Sequence, residues 1–285
     1  MKNNKFKNIF TVDLEDWFAA EGFEEYYEKS DKDFVVNNLI NNTRYILELL
    51  KRHDTKATFF VLGKLAEMLP ELVNEISKEG HEIASHGYNH KVLYNMTDAE
   101  FDDDIKKSII AIENTCGIKP MGYRAPQFSI NRDNIHFIDI LKDNGFLYDS
   151  SIYPTSLHPN YGFANAPTQP YYHPNGIAEF PIASAKILNF NIPCGGGAYL
   201  RFYPYLLFKK LFFICNKSNG TSVLYIHPWE FSHTIPKGSI SKNLWIRQHY
   251  NISGLKNKME GLIYDFKFTS VLETLKEMKS GENIN

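Results

Sequence analysis

The sequence predicts an α/β protein built on a parallel sheet, either open or closed into a barrel. Two observations carry this. Short apolar runs alternate with segments of helical periodicity through the first half of the chain, and acids and histidines fall just beyond several of those runs. A third concerns organisation. No internal repeat, low-complexity tract or linker divides the sequence, so one domain over 1–285 is expected, although a prior of about 150 residues per domain would suggest two.

Taken in order, Ile9–Val12 reads as a strand running into the acids Asp13, Glu15 and Asp16. Between Asn37 and Arg52, the residues Leu39, Thr43, Ile46, Leu47 and Leu50 share one helical face. Ala57–Leu62 is a buried strand; Leu65, Leu69, Leu72, Val73 and Ile76 then repeat at helical spacing, and Gly80 suits the stop. Glu82–Ala84 is a short strand leading to a His-rich turn, and Thr97-Asp-Ala-Glu100 is a capping box ahead of Phe101, Ile105, Ile109 and Ile112. Met121–Arg124 is strand-like and precedes a helix ending near Gly145. The Pro- and Gly-rich stretch 154–176 reads as a long loop. After it come the strand-like Ala178–Ile182, a turn at Gly195–Gly197, an apolar helix and the strand Ser222–Ile226. A helix near Leu255–Ile263, a strand Phe266–Thr269 and a helix Val271–Met278 complete the pattern.

Composition excludes several classes. The chain has 285 residues, with 31 Lys and Arg against 33 Asp and Glu, so nothing electrostatic singles out nucleic acid as a partner. It is long enough to bury a large core without a disulfide framework. Three widely spaced cysteines, Cys116, Cys194 and Cys215, argue against a stapled secreted domain and fit a reducing compartment. The basic start is too short of apolar residues for a signal peptide. The most apolar stretch, Tyr199–Cys215, is interrupted by Arg201, Pro204, Lys209 and Lys210, so no transmembrane segment is expected and the location is read as cytoplasmic.

The chemistry is expected at strand ends. In parallel α/β folds the C-termini of the strands share one face, which lets Asp13, Glu15, Asp16, His86, His90 and His227 converge. Two His four apart in a helical turn can aim both rings at one ion, and a carboxylate would complete a three-ligand site with room for water. An isolated pair of this kind more often caps or packs a loop. Three acids beside Trp17 and Phe18 directly after an apolar strand are harder to explain that way, because burying carboxylates together costs free energy unless a cation or base offsets it. One acid should then bind metal while another stays free as a base. Arg124 could hold that base by a bidentate pair.

The order of these pieces resembles a family. Thr11-Val-Asp13-Leu-Glu15-Asp16, Ser85-His86-Gly-Tyr-Asn-His90, Arg124-Ala-Pro126, Tyr148-Asp149-Ser150-Ser151 and Leu224-Tyr-Ile-His227-Pro228 look like the five motifs of the polysaccharide deacetylases, the NodB-homology enzymes of carbohydrate esterase family 4. The likeness covers about residues 8–230. Gly195-Gly-Gly-Ala-Tyr-Leu-Arg201-Phe-Tyr-Pro204, His227-Pro-Trp-Glu230-Phe231 and Arg247-Gln-His-Tyr250 look like the subfamily found with exosortase and exopolysaccharide loci.

The resemblance implies a single distorted (β/α) barrel, seven-stranded and TIM-like, with the C-terminal α/β extension 231–285 completing it. It implies one divalent metal ion, usually zinc, held by His86, His90 and a carboxylate. The family more often has two adjacent Asp where this chain has Asp13-Leu-Glu15-Asp16. Strand alternation favours Glu15 as ligand, and a turn starting at Leu14 favours Asp16. Asp16, whose short side chain is nearer the usual ligand, is taken first, with Glu15 as the alternative. Asp13 would be the general base, positioned by Arg124. The backbone N–H of Gln127 would serve the oxyanion, and His227 would be the general acid with Asp149 as its orienting partner. Trp17, Tyr88 and Trp229 would offer apolar faces to sugar rings.

The expected activity is removal of N-acetyl groups from an amino sugar in a polysaccharide or its precursor. One alternative is deacylation of a different amide; another is a silent carbohydrate-binding barrel, which the retained base, His pair, Arg and final His disfavour. A third is a scaffold using the apolar 203–215 helix at membranes. That helix is expected to pack in the core, while a lipid-linked sugar would make peripheral membrane proximity reasonable.

Overall fold

A computed structural model of the chain describes residues 3–16, 31–156, 162–163, 165–232, 246 and 248–280. In chain order the elements begin with β1 (Asn3–Leu14), α1 (Lys32–Arg52), β2 (Thr58–Val61), α2 (Gly63–Met68), α3 (Pro70–Lys78) and β3 (Glu82–Ser85). Next come α4 (Asp98–Cys116), β4 (Gly122–Tyr123), α5 (Phe137–Asp143), β5 (Tyr148–Asp149), β6 (Tyr171–Tyr172) and β7 (Ala178–Glu179). The remainder is β8 (Ser184–Ile187), β9 (Phe190–Pro193), α6 (Gly197–Phe202), α7 (Tyr205–Asn219), β10 (Val223–Ile226), α8 (Ile252–Asp265), β11 (Phe266–Thr269) and α9 (Val271–Ser280).

The strands follow the order β10-β1-β2-β3-β4-β5-β7-β6, parallel except for the antiparallel β6–β7 pair. β1 organises the sheet. It pairs with β10 along Ile9–Val12, with β2 along Thr11–Leu14, and with the late strand β11 along Lys7–Ile9. Beyond β7 the sheet curls back on itself, because Ile182 bridges Val223 and the Ala183 N–H donates to the Val223 carbonyl at 3.1 Å. The seven strands β10, β1, β2, β3, β4, β5 and β7 thus form a distorted (β/α) barrel, in which a single bridge replaces a full ladder at one seam.

Alternation along β1 decides what enters the barrel. Phe10, Val12 and Leu14 pack outward with helix residues such as Leu39, Ile46 and Leu50. Ile9 belongs to the interior cluster with Phe60, Tyr148 and Tyr225. Thr11 and Asp13 share its face, so β1 is buried on both sides and delivers a carboxylate inside.

Local chemistry explains the helix ends. Asp31 caps α1 by accepting from Asp33 and Phe34 N–H groups, and the expected Thr97–Glu100 capping box opens α4. The single helix expected over 65–76 is two, because Pro70 lacks the N–H to continue a helix and instead occupies the first position of α3. The hairpin β8–β9 lies in a stretch where no element was expected. Cys194 and Cys215, remote in sequence, meet with their sulfurs 3.2 Å apart in the buried layer between this hairpin and α7.

Candidate metal centre and active site

β1 ends at Leu14, and Glu15 turns back at once, its N–H donating to the Asp13 carbonyl at 2.9 Å. The acidic run therefore stays at the barrel mouth. Asp13, Glu15 and Asp16 are all buried.

The two histidines reach the same place by a bend, not by the helical turn the i, i+4 spacing suggested. Gly87 has φ 78° and His90 has φ 58°, both left-handed. A side chain at Gly87 would strain that backbone and approach Asp104 Oδ2 to 2.9 Å. That carboxylate shapes the bend by accepting the Tyr88 N–H at 2.7 Å. His86 Nδ1 lies 2.7 Å from the Arg124 carbonyl. A carbonyl only accepts, so Nδ1 carries the proton and Nε2 is left with its lone pair facing the mouth.

Glu15, His86 and His90 offer three ligand atoms all within 4.8 Å of one another. His90 Nε2 lies 2.6 Å and His86 Nε2 3.6 Å from Glu15 Oε2. Neither approach has the alignment of an N–H···O hydrogen bond, so a buried carboxylate oxygen and two imidazole nitrogens crowd together without a well-aligned bond between them. That is an arrangement a cation would satisfy, and the donor set suits zinc. Burial pushes the Glu15 carboxyl up, but attraction to His90 and the contacts to His86 and His90 outweigh it and hold it well below the ordinary range. Between the two carboxylates expected as third ligand, the geometry groups Glu15, not Asp16, with the His pair. The turn at Leu14 would by itself have favoured Asp16, but the Glu15 side chain is the one that reaches the His pair.

Asp13 lies beside this cluster. Arg124, fully buried, donates from one guanidinium nitrogen to Asp13 Oδ1 at 2.6 Å and to Thr11 Oγ1 at 2.8 Å. Its other nitrogens go to the Ser150 carbonyl at 3.0 Å and Ser150 Oγ at 2.8 Å, so the contact to Asp13 is single rather than bidentate. The guanidinium sits 4.1 Å over the Phe60 ring. Arg124 is thus fixed from β1, β2 and the segment just after β5.

His227 follows β10. Its Nε2 is 3.5 Å from Glu15 Oε1 and 4.0 Å from Asp13 Oδ2. Its Nδ1 is 3.3 Å from Glu230 Oε2, which also accepts the His227 backbone N–H at 3.1 Å. Glu230 Oε1 takes Arg201 Nε at 3.1 Å, and Arg201 Nη1 donates to the carbonyls of Gln248 and Tyr250. Burial would push the His227 imidazole down; Glu230, Glu15 and Asp13 outweigh it and raise it to about 9. Glu230 itself is pushed up by burial but pulled below its ordinary value by Arg201 and His227.

Several expected roles need correction. Asp149 does not orient His227. Its carboxylate accepts Ser151 Oγ at 2.6 Å and Ser151 N–H at 3.0 Å, and Ser151 Oγ accepts the Ala125 N–H at 2.7 Å, so Asp149 braces the Arg124 loop. Burial first and Glu179 second raise the Asp149 carboxyl, and Glu179, also raised by burial, reaches about 7. Trp229 is not at a rim: it is buried and stacked on His227, with ring centroids 5.3 Å apart at 19°. Tyr88 is half-buried and its hydroxyl donates to Glu67 at 2.8 Å. Gln127 sits in the turn after Arg124 with φ 53°. Trp17 lies outside the described residues.

The Glu230–Arg201 pair was missed as a functional element. The one sequence signal was for Glu230, a carboxylate three residues after a strand-end His inside a His-Pro-x-Glu turn; the structure adds that a Cβ at Gly197 would come within 2.1 Å of Glu230 Oε2.

A carboxylate and two histidines lie beside an Arg-held Asp and a Glu-held His, all at the mouth of a (β/α) barrel. Residues 36–148 match the polysaccharide deacetylase model, and residues 150–276 match a domain of unknown function, DUF3473. A peptidoglycan deacetylase of Helicobacter pylori is 34% identical over 145 residues, 51% of this chain and 48% of its own length. A peptidoglycan-N-acetylglucosamine deacetylase of Bacillus cereus is 39% identical over 84 residues, 30% of each chain. The chain spans about a third to a half of the length of these relatives. A solved Mycobacterium smegmatis structure assigned to the polysaccharide deacetylases superposes with TM-score 0.63 at 19% identity, covering 98% of this chain and 93% of that one. Puue allantoinase gives 0.64 at 15% identity, covering 98% and 92%. At such identities these two structures establish the fold alone. Residues 36–148 thus carry a polysaccharide deacetylase domain, and the DUF3473 match over 150–276 is consistent with the exosortase-associated subfamily.

Proposed function

We propose that this chain is a metal-dependent hydrolase that removes N-acetyl groups from an amino sugar in a polysaccharide or its precursor. The observation that supports it most is the convergence of Asp13, Glu15, His86, His90, Arg124 and His227 at one barrel mouth. The relatives named as peptidoglycan deacetylases supply the substrate class. We read residues 1–285 as one domain, because β1 pairs with both β10 and β11.

In this reading Glu15, His86 and His90 hold the divalent ion, with zinc the first choice for a two-His, one-carboxylate set. When bound, the ion supplies Lewis acidity, acidifying water and polarising the acyl oxygen. The chain's own residues do the rest. Asp13, held by Arg124 with its second oxygen toward the mouth, takes the proton of the attacking water. The Gln127 N–H donates to the oxygen on which charge develops. His227, kept cationic by Glu230, protonates the departing amine through Nε2, and acetate leaves. Arg201 acts at one remove by fixing Glu230.

Acetate release from N-acetylated amino-sugar oligosaccharides, set against small linear and cyclic amides, tests the assignment. Release from the sugars alone is expected. Turnover of a small amide with the sugars untouched would overturn the substrate class, and glycan binding without acetate release would overturn the enzyme.

A further inference from the structure

The segment from Phe180 to Trp229 contains no Asp or Glu and five basic residues, Lys186, Arg201, Lys209, Lys210 and Lys217, in a chain whose 33 acids outnumber its 31 bases. Arg201 is buried in the site and Lys209 is paired with Asp265 at 2.7 Å. Lys186, Lys210 and Lys217 are exposed and have no carboxylate partner among the described residues.

The same segment gathers large apolar side chains in water. Leu188, at the tip of the β8–β9 hairpin, is 86% exposed, with Ile187 and Phe190 beside it; on α7, Leu206 is 79% exposed. The two elements are held together from inside, where Ala185 of β8 joins Phe208, Leu211 and Phe212 of α7 in one core cluster. On the outer side of α7 the exposed residues Leu206, Lys210, Phe213 and Lys217 follow one another at spacings of four, three and four, so they share a helix face. Lys217 Nζ lies 5.4 Å over the Phe213 ring.

Leu188 is informative. It is the first of two residues joining the paired Ile187 and Phe190, and it has φ 53°. Short hairpin turns place Gly, Asn or Asp at such a position, because other side chains there are strained. A large apolar residue at this tip opposes local conformation and hydration together, and an apolar phase meeting the tip resolves the second conflict. Alternating Leu, Phe and Lys without acids is the composition of surfaces that sit at the headgroup–acyl boundary of anionic bilayers. A polyanionic glycan would use the lysines but leave Leu188 and Leu206 in water. A two-fold contact between copies would set lysines against lysines.

We propose that the face formed by the β8–β9 tip and the outer side of α7 docks on an anionic lipid bilayer, with Leu188 entering the boundary and Lys186, Lys210 and Lys217 meeting lipid phosphates. This is peripheral attachment, since no helix among the described residues is long and apolar enough to cross a membrane. It stands apart from the catalytic reading, as none of these residues belongs to the site.

Co-sedimentation of the full chain with vesicles of phosphatidylcholine, and of phosphatidylglycerol and phosphatidylcholine in equal parts, tests it. Binding to the anionic vesicles, weakened by salt, is expected. Leu188→Asp and the double variant Lys210→Glu/Lys217→Glu should each lower partitioning about tenfold or more, with thermal midpoints unchanged because the side chains are exposed. Equal binding to both vesicle types, or none to the anionic ones, would overturn the proposal. Loss confined to the lysine variant would replace it with a polyanion site. A dimer seen by light scattering without lipid, and abolished by Leu188→Asp, would replace it with self-association.

Discussion

Replacing Glu230 by Gln separates the proton-handling part of the site from the metal-holding part. The carboxylate is buried and contacts His227 twice, through the backbone N–H and Nδ1, and Arg201 once. Gln keeps the volume and one acceptor oxygen but removes the charge. Arg201 retains the carbonyls of Gln248 and Tyr250. The stability cost is therefore set below the 3–5 kcal/mol of a buried charge stripped of its partner, at about 2 kcal/mol. A protein with about 5–15 kcal/mol of stability remains folded. The effect on turnover is larger. Without the carboxylate, the ring tautomer and orientation of His227 are no longer fixed and its cationic form is less stable, a loss of about 10²–10⁴ in kcat by analogy with other carboxylate-held histidines. The sign for pH follows. Glu230 raises the His227 imidazole, so its removal moves the basic limb of the acetate-release profile to lower pH. Metal content should not change, because Glu230 touches none of Glu15, His86 and His90 among the described contacts. Wild-type kcat in Glu230→Gln, or a loss explained wholly by missing metal, would refute the reasoning.

Asp13→Asn should keep the metal and lower turnover by about 10²–10⁴, measured as acetate release against metal content; loss of the metal would mean that base and ligand are exchanged. Gly197→Ala should reproduce the Glu230 defect in kcat, because its Cβ would sit 2.1 Å from Glu230 Oε2; unchanged kcat would show that the carboxylate can shift freely. The buried Asp149–Glu179 pair predicts a pH-dependent stability. Glu179 holds its proton to about 7 in the folded chain against 4.5 ordinarily, so the folded state binds more protons in that window and stability falls as pH rises through it. The fall is roughly 3 kcal/mol and should flatten in Glu179→Gln, as read by urea unfolding at pH 5 and pH 8. A wild-type curve that is flat or rises across the window would contradict this.

The sequence disclosed elements whose signals are local. Ile9–Val12, the Thr97–Glu100 box and Phe266–Thr269 fall where apolar runs and caps place them. It also placed Asp13, Glu15, His86, His90 and His227 at strand ends, which a parallel barrel brings to one mouth. What stayed hidden depended on contacts between distant segments. Arg201 reaches Glu230 only once α6 folds beside β10. Asp149 meets Ser151 and Glu179 because β5 pairs with β7. The β8–β9 hairpin lacked the usual turn signal, since Leu188 stands where Gly is expected. The choice between Glu15 and Asp16 was not legible either: the chain does turn at Leu14, with Glu15 N 2.9 Å from Asp13 O, yet the Glu15 carboxylate is the one that lies with His86 and His90, a grouping set by the bend after β3 rather than by spacing.

The most direct measurement is metal content by mass spectrometry of the purified chain beside Glu15→Gln, Asp16→Asn and the double variant His86→Ala/His90→Ala. The account predicts about one divalent ion per wild-type chain, near-complete loss in Glu15→Gln and in the His variant, and retention in Asp16→Asn. Full metal content after removal of both histidines, or loss on Asp16→Asn with retention on Glu15→Gln, would contradict it.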